Sequence, residues 1–165
     1  MAVPSHALQC LDQALFEAVS AEASQSPRLR RNHNLHAEQE LVQRFLNAMQ
    51  PGTYVRPHRH LRPSPGEGFE CFVVLQGSIG LLLLDSAGEV IKQVRLDSQG
   101  PLKGVELKEG VFHTLVALAP DSVVFEIKQG PYQPASDKDF LPHFPVEGTP
   151  EASAQEATWR HRFLP

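Results

Sequence analysis

Residues 69–96 read FECFVVLQGSIGLLLLDSAGEVIKQVRL, and this stretch decides the fold. Phe69 to Leu75 and Ser78 to Leu84 are short apolar runs joined by a tight turn at Gln76-Gly77. Asp85-Ser86-Ala87-Gly88 has the composition of a hairpin loop, after which Glu89 to Leu96 returns as a third run. Phe72, Val74, Ile79, Leu81 and Leu83 alternate along these runs and make the inward face of a β core. Further β-type runs follow at Gly104 to Leu107, Thr114 to Leu118 and Ser122 to Ile127. Many short strands at close spacing predict a mainly β barrel or double-sheet sandwich. Helical patterns stay outside this block, which excludes a doubly wound parallel sheet.

On the N-terminal side, Leu8, Leu11, Leu15 and Val19 recur at three- and four-residue steps, predicting a helix over 5–23 that starts at Pro4-Ser5. A polar break at 24–36 precedes a second predicted helix over 37–49, with Leu41, Val42, Phe45, Leu46 and Met49 on one face. Past Gly130, Pro131, Pro134, Pro142, Pro145 and Pro150 predict an extended surface tail. Thr149-Pro150-Glu151 reads as the start of a short terminal helix. Trp159-Arg160-His161 reads as surface or subunit contact. The expected organisation is a single domain: a helical extension at 1–50, a barrel at 51–130 and a Pro-rich extension at 131–165.

The 165 residues, 41% hydrophobic and 21% charged, are those of an ordinary soluble protein with room for one real core. A net charge of −4 without a basic stripe argues against nucleic acid, although Arg28, Arg30 and Arg31 can meet a small anion. No apolar stretch is long enough to span a bilayer, and the N-terminus has no signal-peptide pattern, so a cytoplasmic protein is expected. Cys10 and Cys71 are far apart and form neither a zinc spacing nor a disulfide framework.

The chemistry lies in three features of the β block. His58 and His60 sit at i and i+2 of a predicted strand, so both imidazoles can reach one point. Glu70 opens the next run and comes beside them if the two strands pair antiparallel. Gly110-Val111-Phe112-His113 places another histidine just after a turn glycine. Imidazoles with one carboxylate suit a first-row divalent ion, Zn, Fe, Ni, Mn or Co, and serve Ca and Mg poorly.

Gly52, His58, His60, Glu70 and Gly77 together resemble the first cupin motif, and Gly110 with His113 resembles the core of the second. That resemblance implies a cupin double-stranded β-helix, a jelly-roll-like barrel, with one divalent metal held by His58, His60, Glu70 and His113. The gap between His60 and Glu70 exceeds the usual cupin spacing, so Glu67 competes for the carboxylate role; the distance from Glu70 to Gly77 favours Glu70. The second motif lacks its usual proline, with Lys108 in place, and Ala117 stands where asparagine is common. Residues 26–36, SPRLRRNHNLH, residues 54–60, YVRPHRH, and residues 125–132, FEIKQGPY, are similar to the WbuC family of cupin-fold metalloproteins. Members are associated with bacterial O-antigen and other surface-polysaccharide gene clusters.

Around the metal, strand parity aims Arg56 at the cavity as an anion clamp, with a surface salt bridge as the equal alternative. Glu126 and Lys128 share a face, either in solvent or in the barrel mouth; the resemblance favours the mouth, as acid/base and anion contact, with Tyr132 covering it. Arg30, Asn32, Asn34 and His36 are substrate candidates if their segment forms an edge strand across the barrel, and loop or cap residues otherwise. The remaining histidines, His6, His33, His143 and His161, read as surface residues. The expected partner is a small molecule such as a sugar nucleotide, in a homodimer. The expected activity is isomerase- or epimerase-like, with an iron-dependent dioxygenase, a metal-dependent sugar- or carboxylate-binding module, or a purely structural metal as the other readings.

Overall fold

The computed structural model describes residues 8–62, 66, 68–132 and 138–164. Among the described residues, ten strands form two five-stranded antiparallel sheets that face each other. The first sheet runs β1 (Arg30–Asn34), β2 (Val42–Met49), β9 (Ser122–Gln129), β4 (Phe69–Gln76), β7 (Gly104–Lys108). The second runs β10 (Asp139–Phe140), β3 (His58–Arg59), β8 (Phe112–Ala117), β5 (Ser78–Leu84), β6 (Val90–Asp97). Helix α1 (Gln13–Gln25) packs outside the first sheet and α2 (Pro150–His161) outside the second.

The inward faces meet in a core of Met49, Phe72, Val74, Ile79, Leu81, Leu96, Leu115, Ala117 and Val124. This apolar set fills one end of the barrel and leaves the other end polar. The β4–β5 connection needs glycine at 77, because its φ is +71° and a Cβ there would lie 2.5 Å from Ser122 Oγ.

Three expectations are corrected. The helix expected over 37–49 is strand β2, so the barrel begins well inside the stretch read as a helical extension. Its inward side carries Phe45, Asn47 and Met49, while Leu46 and Ala48 pack under Val19 and Ala23 of α1. A strand buried on both faces loses its alternation and imitates a helical stripe. The first helix starts at Gln13 rather than in the first residues, because Asp12 caps it by accepting from Leu15 N at 3.0 Å. The predicted start at Pro4-Ser5 and the tail's Pro134 lie outside the described residues. The third correction is Trp159, which is buried at 3% exposure in the core under α2 rather than lying on the surface. The terminal helix itself begins as read, with Thr149 as its cap and Pro150 in its first turn.

The C-terminal segment is strapped to the barrel. Leu141 N donates to Pro57 O at 3.0 Å, and Tyr54 OH donates to Pro145 O at 2.9 Å. Glu147 takes both Arg28, at 3.1 Å, and the η nitrogens of Arg30. Burial pushes the Glu147 carboxyl up, but the hydrogen bonds and charges of the two arginines outweigh it and hold it below the usual carboxylate range. A depressed carboxyl adds stability above its unfolded pKa of about 4.3 and loses it as the pH falls through the lower folded value. Thermal melts between neutral pH and pH 3 are therefore expected to fall less steeply for Glu147→Gln than for the wild type. Parallel curves would remove the pair from the acid response.

Candidate metal centre

Two sheets contribute to one cluster. In the second sheet His58 is registered directly opposite His113, and His60 follows β3. Gly110 N donates to His60 O at 3.1 Å, tying the first histidine pair to the turn before His113; the φ of +82° at Gly110 is one that glycine adopts freely. The donor atoms of His58, His60 and His113 lie within 4.8 Å of one another, and all three residues are buried. Glu70 comes from the first sheet. Its Oε1 lies 3.3 Å from His60 Nε2 and its Oε2 3.0 Å from His113 Nε2. The strand of Glu70 does not pair with the strand of His58, as the antiparallel reading required; it faces that strand across the barrel. Glu67, the competing carboxylate, lies outside the described residues.

The donor set fits a divalent cation. His58 Nδ1 lies 2.9 Å from Arg56 O and His113 Nδ1 lies 3.0 Å from Val111 O. A carbonyl can only accept, so each Nδ1 carries the hydrogen and each Nε2 offers a lone pair to the cluster. In that tautomer His113 Nε2 faces an acceptor oxygen of Glu70, and the two are reconciled only by a proton or a cation between them. Backbone carbonyls orienting the outer nitrogen are the usual support for metal-ligating histidines. Burial pushes His58 well below the ordinary imidazole range, which keeps it neutral, as ligation requires.

The cluster opens into a cavity of about 760 Å³, in the range of small-molecule sites. Glu126 and Lys128 both line it, because on β9 they share the inward face with Val124. Their neighbours Val123 and Phe125 pack instead toward α1, so the apolar set turns outward under the helix rather than inward. Burial raises Glu126 well above the usual carboxylate range, reinforced by the charge of Glu70 and the hydrogen bond shared with it. Tyr132 stands at the rim, its ring 5.8 Å from Lys128 Nζ. Strand β1 is an edge strand; Arg30, Asn32 and Asn34 line the cavity along it, and His36 does so just past its end.

Two residues are placed differently from what parity suggests. Arg56 is not among the lining residues; its Nη2 donates to Leu141 O at 3.3 Å and Pro142 O at 3.2 Å, and its guanidinium lies over Phe140. The stretch before β3 is not strand, so the i, i+2 rule does not extend back through Pro57. Arg30 reaches the cavity, but its guanidinium is engaged by Glu147 and by Tyr54 O at 2.8 Å.

Sequence reading missed three groups. Asn47 and Gln43 line the cavity from β2, hidden by the helical reading of that strand. Lys138 enters from the segment before β10, where no local pattern marks it. Glu109 is the third: its carboxylate accepts from Arg62 N at 2.5 Å, Gly66 N at 2.8 Å and Gly68 N at 3.2 Å. It thereby holds Arg62, Gly66 and Gly68 of the long stretch between His60 and Glu70, the insertion that separates this sequence from ordinary cupin spacing. Its place next to Gly110 was the available signal.

Comparison with known proteins agrees with this architecture. The family model described as "Domain of unknown function (DUF6016)" matches residues 11–96. No curated protein matches the chain. Among solved structures, CapF with the inhibitor 3-isopropenyl-tropolone is similar at a TM-score of 0.53 and 17% identity, over 68% of this chain and 34% of that one. The capsular polysaccharide assembling protein CapF from Staphylococcus aureus is similar at a TM-score of 0.50 and 16% identity, over 67% and 32%. KdgF from Halomonas sp. is similar at 0.49 and 21%, over 67% and 84%. The chain thus spans about a third of the CapF chains. The fold is that of the cupins. No helix among the described residues is long and apolar enough to cross a membrane.

Proposed function

We propose that this chain, which belongs to the DUF6016 family, is a metal-dependent cupin enzyme that isomerises or epimerises a sugar or sugar nucleotide. The observation that carries the reading is the meeting of a histidine cluster and a buried glutamate, Glu126, on one roomy, polar cavity. His58, His60, His113 and Glu70 would hold the ion, which when bound polarises a carbonyl or hydroxyl oxygen of the substrate. Glu126, kept protonated by burial, gives its proton to that oxygen; as a carboxylate it then takes one from the adjacent carbon. Return of the proton to the former carbonyl carbon, while the adjacent hydroxyl gives its own proton back to Glu126, gives isomerisation; delivery to the opposite face of the original carbon by a second acid, with the oxygen's proton returned to Glu126, gives epimerisation. Lys128 stands beside Glu126 on the same strand and steadies its charged form. Asn32, Asn34 and His36 would orient hydroxyls, and Tyr132 would cover the mouth.

Two likenesses support the sugar assignment: the WbuC-like segments at 26–36, 54–60 and 125–132, and the similarity to a capsular polysaccharide assembling protein, CapF. The test is exchange of carbon-bound hydrogen in heavy water, followed by NMR over a panel of nucleotide sugars and sugar phosphates. Metal-loaded protein is expected to catalyse exchange on at least one of them. Glu126→Gln should lower the rate by about 10²–10⁴-fold while metal content stays the same. No exchange across the panel, with the metal measured in place, would sink the proposal.

A further inference from the structure

A bound ion would add positive charge to a cavity that already carries two lysines among its described lining residues. Lys128, from β9, and Lys138, from the segment before β10, both act on Glu126, and Lys138 also acts on Glu70. Lys128, Lys138, Glu126 and Glu70 therefore act on one another along the cavity wall. Of the outer arginines, Arg31 pairs with Glu22 at 2.8 Å, and Arg28 and Arg30 share the single carboxylate of Glu147. A divalent ion held by the three histidines adds two positive charges in a space walled by Phe45, Phe72, Val55 and Leu115. Buried charge of one sign is costly unless a partner compensates it.

A second observation points to the same missing partner. Asn47 is 8% exposed and lines the cavity, and its side-chain oxygen is buried without a hydrogen-bond partner. Buried polar atoms in folded proteins are nearly always satisfied, so an acceptor left open on a cavity wall is positioned to take a hydrogen from a ligand hydroxyl. Asn32 is registered opposite Asn47 on β1 and faces the same space. The cavity therefore presents a cationic end beside an amide-lined wall.

We infer that the ligand is an anionic polyol, a sugar bearing a phosphate or carboxylate, with its anion between Lys128 and Lys138 and its hydroxyls on Asn47 and Asn32. This rests on the metal-dependent reading above, since the added positive charge comes from the ion. Phosphate and carboxylate share the required chemistry: negative oxygen acceptors for ammonium donors. Lys138 is the anion-binding residue that sequence patterns leave unmarked.

The test is titration calorimetry of the metal-loaded full chain with glucose 6-phosphate, gluconate, glucose and inorganic phosphate, with metal content measured on the same sample. An anionic sugar is expected to bind at least about 10-fold tighter than glucose, and its affinity should fall as salt rises. The phosphate and carboxylate arms show which anion the site prefers. Lys138→Ala should lose the preference over glucose, Lys138→Arg should keep most of it, and Asn47→Leu should weaken the sugars but not inorganic phosphate. Equal affinity for glucose and the anionic sugars, binding of no probe, or a Lys138→Ala variant that keeps full preference would overturn the inference with the metal in place. A sample that takes up no metal would instead overturn the reading beneath it.

Discussion

Replacing His113 with alanine is expected to strip the protein of the divalent ion that the proposed ligand set would hold. The substitution removes one of three neighbouring imidazole donors and leaves Glu70 Oε2 facing a gap where His113 Nε2 stood at 3.0 Å. Loss of a mere supporting partner weakens metal affinity by about 10–100-fold, so loss of a direct ligand should exceed 100-fold. The effect reaches stability as well. An ion at a thousand times its Kd adds about 4 kcal/mol to the folded state, and the variant forgoes this. Elemental analysis after dialysis and thermal melts with and without chelator measure both consequences. Wild type should melt lower in chelator, whereas the variant should melt alike in both conditions. His143→Ala, at an exposed position far along the chain, serves as the control and should keep its metal. A His113→Ala protein holding one ion per chain would remove His113 from the ligand set.

The second large effect lies on the opposite face of the barrel. Trp159→Ala should destabilise the protein by about 3–5 kcal/mol, the usual cost of deleting a buried aromatic side chain. The Trp159 ring stacks on Tyr54, with centroids 5.7 Å apart and planes 3° from parallel, and meets Phe144 at 5.5 Å. Around it lie Leu82, Leu84, Val116, Leu141 and Ala152, so the indole joins α2 to the outer face of the second sheet. Tyr54 also reaches Pro145 O, so its stacking partner is part of the strap that brings β10 beside His58. With total stabilities of about 5–15 kcal/mol, a loss of this size brings many domains close to unfolding. Chemical denaturation reads it directly, and a change below 1 kcal/mol would show that α2 is not integral to the core. Trp159→Phe, which keeps a stacking ring, should recover most of the loss.

How much of this was legible depended on whether a signal was local. The β4–β5–β6 unit could be read nearly to the residue, because Gly77 and Asp85 to Gly88 are turn chemistry and the runs between them are short. The cap of α2 was equally local, resting on Thr149 and Pro150 in adjacent positions. Strand β2 was misread because α1 buries its second face, and only a tertiary contact removes the alternation that would have marked it. Trp159 was misplaced for the same kind of reason: its partners, Tyr54 and Phe144, lie elsewhere along the chain.

The metal centre divides in the same way. From the sequence alone came the kind of site: two histidines one residue apart, a glutamate at a strand start, a histidine after a turn glycine. Side-chain types and short spacings carry that information, since they set which atoms can donate and which can point together. What only the tertiary structure decided is how the donors meet. Glu70 arrives from the sheet opposite the histidines, Arg56 turns away to hold the C-terminal strap, and Lys138 enters from the segment before β10. Each of these depends on contacts between residues distant in sequence. Closing two sheets over a common core sets such contacts, and no periodicity within one strand encodes them.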